Sequence, residues 1–371
     1  MAELTRRLFV TSCLVSVAAA CSRPNGPAAL VSGIDLAGMD RTVKPGADFW
    51  NYANGTWLRT TEIPADRSAT GGGLEAQEET DRNMQQLIDG ILHGHPAPNS
   101  DEARIANYYN AFLNTQAIDA AGMTPAQADL ARFAAIQSRS DLSRVLGEQI
   151  RADTDPLNAT NFFTENLFGI FVTQGLATPG EVLPYIMQGG IGLPEREYYF
   201  SDQFKPQREA YRAYMERTFK ALGNKDPKAA ADAVFNFETN IAYKSWKIGD
   251  RRDVDKTNNP MSSAELAKYA PGVDWAALHA GWKIPAQKRI VVGENTAIKA
   301  HAALFAETPL ETLKLWQEFH VADQASPYLN KRMVDSRELT VRRVGTCRSA
   351  WVLRSEVESL AAEAVRPRVS A

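Results

Sequence analysis

The chain has 371 residues, enough for two or three ordinary domains with a substantial buried core. Its hydrophobic fraction of 44% and charged fraction of 23% are those of a folded globular protein and exclude an intrinsically disordered one. A formal net charge of −3 gives no indication of the strongly basic surface that nucleic-acid binding needs. We therefore expect a globular protein with no nucleic-acid partner.

The first 21 residues have the pattern of an export signal. Arg6 and Arg7 precede an apolar run at positions 8–20, which ends in small residues before Cys21. The run is too short to cross a bilayer, since a membrane-spanning helix needs about 20 apolar residues. We interpret residues 1–21 as a signal peptide, read by either the general or the twin-arginine pathway. Cys21 is a candidate lipidation site, with ordinary cleavage before it as the alternative.

An exported protein with this leader is periplasmic, attached to the cell envelope as a lipoprotein, or secreted. It would meet a membrane only through the leader or a lipid anchor. After the leader, residues 22–33 are rich in Pro, Gly and Ser and predict a linker.

The body of the chain is dominated by helical periodicity. Apolar residues recur every three or four positions, which predicts helices at 74–92, 103–117, 125–137, 140–153, 203–222, 228–247, 263–269, 295–306 and 308–322. We expect Ser140-Asp141 to cap one helix and Thr308-Pro309 to open another. Aromatic and β-branched residues predict a hairpin in which 162–163 pairs with 168–172, and a short strand at 289–292. The predicted fold class is mainly α, a multi-helix lobe or lobes with a few short β-strands.

Residue types with catalytic potential do not form a recognisable site. A helical zinc motif needs two histidines four residues apart, and none of the five histidines has that spacing. His93 and His95 form the closest pair, and the intervening Gly94 and following Pro96 place them in a loop. A nucleophile elbow and a phosphate-binding loop are also missing from the sequence. The residues alone therefore predict no catalytic residue, no metal ligand and no bound cofactor.

Several motifs in order along the chain resemble those of a known family. Residues 45–57 read Pro-Gly-Ala-Asp-Phe-Trp-Asn-Tyr-Ala-Asn-Gly-Thr-Trp, residues 192–199 read Gly-Leu-Pro-Glu-Arg-Glu-Tyr-Tyr, and residues 252–261 read Arg-Asp-Val-Asp-Lys-Thr-Asn-Asn-Pro-Met. Together with the helix start at 308–314, these motifs resemble the N-terminal region of zinc metallopeptidases of the neprilysin and endothelin-converting-enzyme type, in their secreted bacterial form.

The positions that carry the resemblance are expected to be structural, as turns, caps, ion pairs and an aromatic packing cluster. They are Asp48, Phe49, Tyr52, Asn54, Gly55, Trp57, Pro194, Arg196, Tyr198, Tyr199, Arg252, Asp253, Lys256 and Pro260.

The resemblance implies part of a two-lobed, mostly helical peptidase fold around a chamber that admits peptides. In that family, a His-Glu-x-x-His helix and a downstream Glu bind zinc, and the Glu between the histidines is the general base. This sequence contains no His-Glu-x-x-His. We therefore expect that the chain binds no zinc itself and is inactive alone.

The resemblance ends near residue 337. We assign 34–337 to the N-terminal domain of the peptidase and 338–371 to a tail outside the family pattern, either frameshifted or disordered, with a genuine short helix near 355–364 as the alternative. Three hypotheses follow: a truncated peptidase, one half of a split peptidase whose zinc half is encoded separately, or a non-catalytic peptide-binding or scaffold protein.

Overall fold

The computed structural model describes residues 33–63, 70–150 and 164–344, and it divides the chain into two compact units, at His95 and Pro96. The predicted leader, linker and lipidation site therefore lie outside the described residues, apart from Gly33. No helix among the described residues is long and apolar enough to cross a membrane.

The described part of the first unit contains two helices, α1 (Phe49–Thr60) and α2 (Gly72–His93). The side chain of Asp48 caps α1 by accepting a hydrogen bond from the Asn51 backbone N–H at 3.0 Å. Asn54 and Gly55, which the sequence predicted as a turn, lie inside α1, and Gly55 is its buried position. The absence of a Cβ at Gly55 allows close approach to Asp40, since an added Cβ would lie 2.8 Å from the Asp40 Cβ. The small size of Gly55 therefore lets the helix pack closely against the preceding segment.

The aromatic residues of α1 do not form the predicted packing cluster. Phe49 is 70% exposed and Trp50 is 63% exposed. Tyr52 makes one tilted ring contact, with Phe49, at a centroid distance of 6.2 Å. The helical spacing of these residues places them around the helix, and the side that packs against the preceding segment is that of Gly55 and Trp57.

The second unit is mostly helical. Its first helices are α3 (Asp101–Leu113), α4 (Thr115–Ala121), α5 (Gln127–Ala134) and α6 (Arg139–Gln149). They are followed by α7 (Lys205–Ala221), α8 (Pro227–Lys244), α9 (Ile248–Arg251), α10 (Val254–Thr257), α11 (Ser263–Tyr269) and α12 (Trp275–Trp282). The last are α13 (Asn295–Glu307), α14 (Leu310–Ala325) and α15 (Lys331–Val344). The predicted class, mainly α with short strands, is confirmed.

A four-stranded sheet of order β1-β2-β4-β3 accompanies these helices, with β1 (Phe168–Gln174), β2 (Val182–Gln188), β3 (Asn259–Met261) and β4 (Ile290–Val292). Strand β1 pairs antiparallel with β2, which follows it in the chain, and this hairpin was not predicted. The turn between them contains Thr178-Pro179-Gly180, whose turn-forming residues the prediction overlooked. Residues 162–163, the predicted partner, lie outside the described residues. Strands β2 and β4 run parallel, so their carboxyl ends, at Gln188 and Val292, lie at the same edge of the sheet.

The core of this unit lies between the sheet and the helices that pack against it. Trp316 and Phe319 of α14 are fully buried, as are Phe168 of β1 and Phe219 of α7. Phe319 contacts the rings of Tyr211, Tyr214 and Phe219. Aromatic residues of this kind bury about 150–250 Å² each, so this cluster provides much of the apolar burial of the unit.

Two helix starts differ from the predicted ones by one or two residues. Helix α6 is capped by Ser138 rather than Ser140, and Ser138 forms a capping box with Asp141, which the sequence had placed in the cap. Helix α14 begins at Leu310, and Pro309 is its N-cap.

Helix α15 begins at Lys331 and ends at Val344, so it runs across the boundary predicted at residue 337. Its middle residues Ser336 and Thr340 contact Arg217 of α7. The rest of the predicted tail, including the alternative helix near 355–364, lies outside the described residues.

Candidate functional site

The residues that carried the family resemblance lie in three places. Asp48 to Trp57 form helix α1 in the first unit, and the other two segments lie in the second unit. Asp253 caps helix α10, and Lys256 forms an ion pair with Asp250 at 2.7 Å. Arg252 and Pro260 are exposed. These positions serve local structure.

The segment at 194–199 makes more contacts with other parts of the second unit. Arg196 donates a hydrogen bond from Nε to the Ala242 carbonyl at 3.0 Å, and Tyr198 stacks on Phe204. Tyr199, which lies in a short 3-10 helix after Pro194, is buried. Its hydroxyl accepts hydrogen bonds from two backbone N–H groups and reaches a carboxylate in the interior of the unit.

That carboxylate belongs to Glu238, in the middle of helix α8, and it is fully buried. Tyr199 donates to its Oε2 at 2.6 Å, Tyr211 donates to the same oxygen at 3.1 Å, and His320 Nε2 lies 2.8 Å from its Oε1. A buried carboxylate costs several kcal/mol of desolvation unless it is paired. With the backbone N–H of Gly192, which lies 3.4 Å from Oε2, four donors on two oxygens meet that requirement. Burial and the Glu238 charge raise the pKa of both tyrosines well above the ordinary value, so both keep the protons that they donate.

His320 of helix α14 lies between two carboxylates. Besides the contact with Glu238, its Nδ1 lies 3.4 Å from Oε2 of Glu165, and the His320 side chain is only 5% exposed. Burial alone would lower the pKa of His320, but the hydrogen bonds and charges of Glu165 and Glu238 outweigh it and raise the pKa to about 10. The imidazole is therefore a cation at neutral pH. Burial raises the pKa of Glu165, but His320, Gln324 and Arg337 together outweigh the burial and lower that pKa.

A second acid lies one helical turn further along α14. Asp323 Oδ1 accepts a hydrogen bond from the Tyr214 hydroxyl at 2.5 Å and from Arg337 Nε at 3.0 Å. Burial and the charge of Glu165 raise the pKa of Asp323, while Arg337 and Tyr214 oppose that rise. The cluster thus joins helices α7, α8, α14 and α15 through hydrogen-bonded charges.

A similar pair lies at the carboxyl end of the parallel strands. Glu294, which follows β4, is 2% exposed and accepts a hydrogen bond from Arg251 Nε at 2.7 Å. Its other oxygen accepts the backbone N–H of Gln188 at 2.8 Å. The Gln188 side chain in turn bonds both backbone groups of Trp246.

These groups do not fit a zinc ion. Both ring nitrogens of His320 face carboxylates, and both oxygens of Glu238 accept hydrogen bonds, so no lone pair points into a shared open position. Across the described residues, no group of three or more His, Cys, Asp or Glu side chains could hold a metal ion.

The other histidines have individual environments. His301 is fully buried, and burial lowers its pKa to about 4, so it is neutral. His279 accepts a hydrogen bond from the Trp282 indole. His93 and His95 are exposed, and the Nδ1 of each contacts a backbone carbonyl. Cys13, Cys21 and Cys347 lie outside the described residues.

Sequence reasoning singled out Tyr199 but missed Glu238 and His320. A signal for both was present: each polar residue occupies an apolar position of its helix. Glu238 follows Val234 by four residues and precedes Ile241 by three, and both of these neighbours are buried. His320 follows Leu313 by seven residues and Trp316 by four in α14, and both of these neighbours are buried. The partner of such a residue comes from another element, so spacing along one helix cannot identify it.

Comparison with known proteins shows the family. The N-terminal model of peptidase family M13 matches residues 45–349. The chain belongs to peptidase family M13. This confirms the resemblance drawn from the motifs, and the match continues past the boundary predicted at 337.

Individual relatives of this M13 chain are distant and longer. Human endothelin-converting enzyme 1 is 25% identical over 315 residues, which is 82% of this chain and 40% of that protein. Neprilysin-3 from Drosophila melanogaster is 28% identical over 254 residues, 65% of this chain and 31% of that protein. The chain thus spans less than half the length of these curated relatives.

Solved structures agree with the family assignment. The inhibitor complex of the zinc metalloprotease Zmp1 from Mycobacterium tuberculosis has a TM-score of 0.72 at 26% identity, and the match covers 90% of this chain and 51% of that one. The open state of the same protein has a TM-score of 0.66 at 26% identity and covers 87% of this chain and 50% of that one. The fold described above is therefore similar to that of Zmp1, and the match covers about half of the Zmp1 chain.

Proposed function

We propose that this chain is the N-terminal, zinc-free part of a neprilysin-like metallopeptidase that hydrolyses peptides. The observation that carries the proposal is the M13 match over residues 45–349 in a sequence that contains no His-Glu-x-x-His. On this proposal, the metal and the general base come from protein outside the 371 residues, and the chain alone neither binds zinc nor cleaves peptides.

The surface of the first unit supports a requirement for additional protein. Helix α2 buries none of its 22 residues, although its apolar residues include Met84 at 52% and Leu87 at 59% exposure. An amphipathic helix gains most of its stability from packing of its apolar face. We propose that a zinc-bearing M13 segment, encoded separately or further along a longer chain, covers apolar surface of this kind.

The experiment compares the purified chain alone with the chain mixed with the zinc-bearing half of a related M13 peptidase. Zinc content is measured by metal analysis, and cleavage is measured with a quenched fluorescent peptide. We expect neither bound zinc nor cleavage from the chain alone, and chelator-sensitive cleavage from the mixture above the level of the zinc-bearing half by itself.

Stoichiometric zinc and chelator-sensitive cleavage by the chain alone would contradict the proposal. Peptide binding without cleavage in both samples would favour the alternative role of a non-catalytic peptide-binding protein.

We further propose that the chain is exported and that Cys21 is the first residue of the mature protein. Mass spectrometry of the N-terminal peptide from cells would find Cys21 with an attached lipid. An unmodified N-terminus at that position would favour a secreted or periplasmic form, and an intact Met1 would contradict export.

A further inference from the structure

The segment Gln188–Leu193, here called the glycine strap, connects strand β2 to the short helix that contains Tyr199. It reads Gln-Gly-Gly-Ile-Gly-Leu, and such a sequence gains little rigidity from its own side chains. Gly190 has φ of +96°, and a Cβ at Gly192 would lie 2.0 Å from the Tyr211 hydroxyl oxygen. The glycines therefore permit a path through the interior that other residues could not follow.

Polar groups from other elements hold the strap along its length. At its first residue, the N–H of Gln188 donates to Glu294, whose other oxygen is paired with Arg251. At its last residues, Gly192 and Leu193 donate to the Tyr199 hydroxyl at 3.1 and 3.0 Å, and the Gly192 N–H also lies 3.4 Å from Oε2 of Glu238.

The same tyrosine donates to Glu238, whose other oxygen is paired with His320. Each end of the strap is thus held by a buried acid that is paired with its own cation.

The middle of the strap is bonded to the segment before β1. Gly189 N–H donates to the Leu167 carbonyl at 3.2 Å, and Gly190 N–H donates to the Thr164 carbonyl at 3.1 Å. Glu165, between those two residues, reaches His320 from the opposite side to Glu238. His320 therefore contacts both Glu238, which supports the last residues of the strap, and Glu165, which lies in the segment bonded to the middle of the strap.

We propose that two ion pairs fix the position of the glycine strap. The Glu294–Arg251 pair fixes its first residue, and the Glu238–His320 pair, acting through Tyr199, fixes its last two; this second pair is called the lock below. The lock at the second end requires a doubly protonated His320. Nε2 must carry a proton to bond the Glu238 carboxylate, and a lone pair on Nδ1 facing Glu165 would be repelled. The inference goes beyond the proposed function and does not depend on it.

The charged and titratable groups around His320 define the pH range of this lock. They are Glu165 before β1, Tyr199 in the short helix, Tyr211 and Tyr214 of α7, Glu238 of α8, Asp323 of α14 and Arg337 of α15. The folded-state pKa of His320, about 10, exceeds its ordinary value of 6.5. The stabilisation is therefore complete below pH 6.5 and is lost as the pH rises towards 10.

At low pH, the stability of the lock depends on Glu165, whose pKa is lowered from 4.5. Its stabilisation is present above that value and is lost as the pH falls.

Amide hydrogen exchange tests the two ends separately in the full chain. A buried N–H donor that is left without its acceptor loses local protection by about 10- to 100-fold. We expect Glu238→Gln and Tyr199→Phe to speed exchange at Gly192 and Leu193 by about that factor while Gln188 is unaffected. Glu294→Gln should do the reverse, so each end is the matched control for the other. Uniform acceleration across the unit, or no acceleration in any variant, would overturn the proposal.

The protonation of His320 is measured directly by nitrogen-15 NMR of the imidazoles. Both His320 nitrogens should show protonated shifts at pH 8, whereas the buried control His301 should show a neutral ring, as its pKa of about 4 requires. A neutral His320 at pH 8 would overturn the lock at the second end, even if a variant there failed to fold.

Discussion

The two units of the chain both contain capped helices with apolar periodicity, but they differ in how many hydrophobic side chains those helices bury. In the described part of the first unit, no hydrophobic side chain is buried, and the buried positions are Gly38, Asp40 and Gly55. In the second unit, one continuous core extends from Phe133 to Phe319. Capping and periodicity are therefore sufficient to place a helix, but a core needs several elements that pack on each other.

The largest expected difference between the units concerns tryptophan. Trp316→Ala removes a fully buried ring that contacts Phe237, and such truncations cost about 3–5 kcal/mol of unfolding free energy. Trp50→Ala removes a ring that is 63% exposed and should change the free energy by less than about 0.5 kcal/mol.

Urea unfolding followed by circular dichroism measures both tryptophan variants. A cost above about 1 kcal/mol for Trp50→Ala would mean that the first unit buries this ring in solution.

Replacing a helical glycine by alanine should change the stability in opposite directions in the two units. Helices α6 and α12 approach closely at Gly147, where an added Cβ would lie 2.3 Å from the Leu278 carbonyl oxygen. Gly147→Ala should therefore destabilise by about 1–3 kcal/mol through overpacking.

Gly90 in α2 has open space around the position of a Cβ. Gly90→Ala should stabilise that helix by about 0.5–1 kcal/mol, because alanine loses less backbone entropy. Thermal unfolding followed at 222 nm checks both variants, and a loss of stability from Gly90→Ala would show that α2 is packed at that point.

Removing a helix cap should loosen the capped helix in either unit, but it should lower the global stability only in the second unit. Ser138→Ala removes the cap of α6, which is part of the core unit, and should cost about 1 kcal/mol of global stability. Asp48→Ala removes the cap of α1 and should increase hydrogen exchange within 49–60 while leaving the midpoint of the second unit unchanged. A matching shift of the global midpoint by Asp48→Ala would show that the two units unfold together.

The smallest expected effect is a local acid transition in the first unit. The hydrogen bond from Thr42 and the contact with Arg59 lower the pKa of Asp40 from 3.8 to about 2. Its stabilisation is present above pH 3.8 and is lost as the pH falls towards 2. NMR shifts of the Thr42 amide should follow this transition, and Asp40→Asn should abolish it; an unchanged transition in Asp40→Asn would assign it to another carboxylate.

Much of the secondary structure could be predicted from sequence because its determinants are local. The helices near α2, α8, α11 and α13 follow from periodicity, and Asp253 could be assigned as a cap from its neighbours. The β1–β2 hairpin was not predicted, because the turn-forming residues between its strands were overlooked and because pairing depends on which strand lies alongside in space. The aromatic cluster of α1 failed because aromatic spacing does not reveal whether another surface covers the ring.

The sequence by itself determined the mainly helical class and the M13 family, since motifs and periodicity are properties of neighbouring residues. Only the tertiary structure decided that Glu238 and His320 form a buried ion pair, because they lie on different helices. It likewise showed that the glycine strap is held at both ends by acids distant in the chain. The desolvation of those charges is offset only when all of their partners assemble, and this is a property of the folded interior.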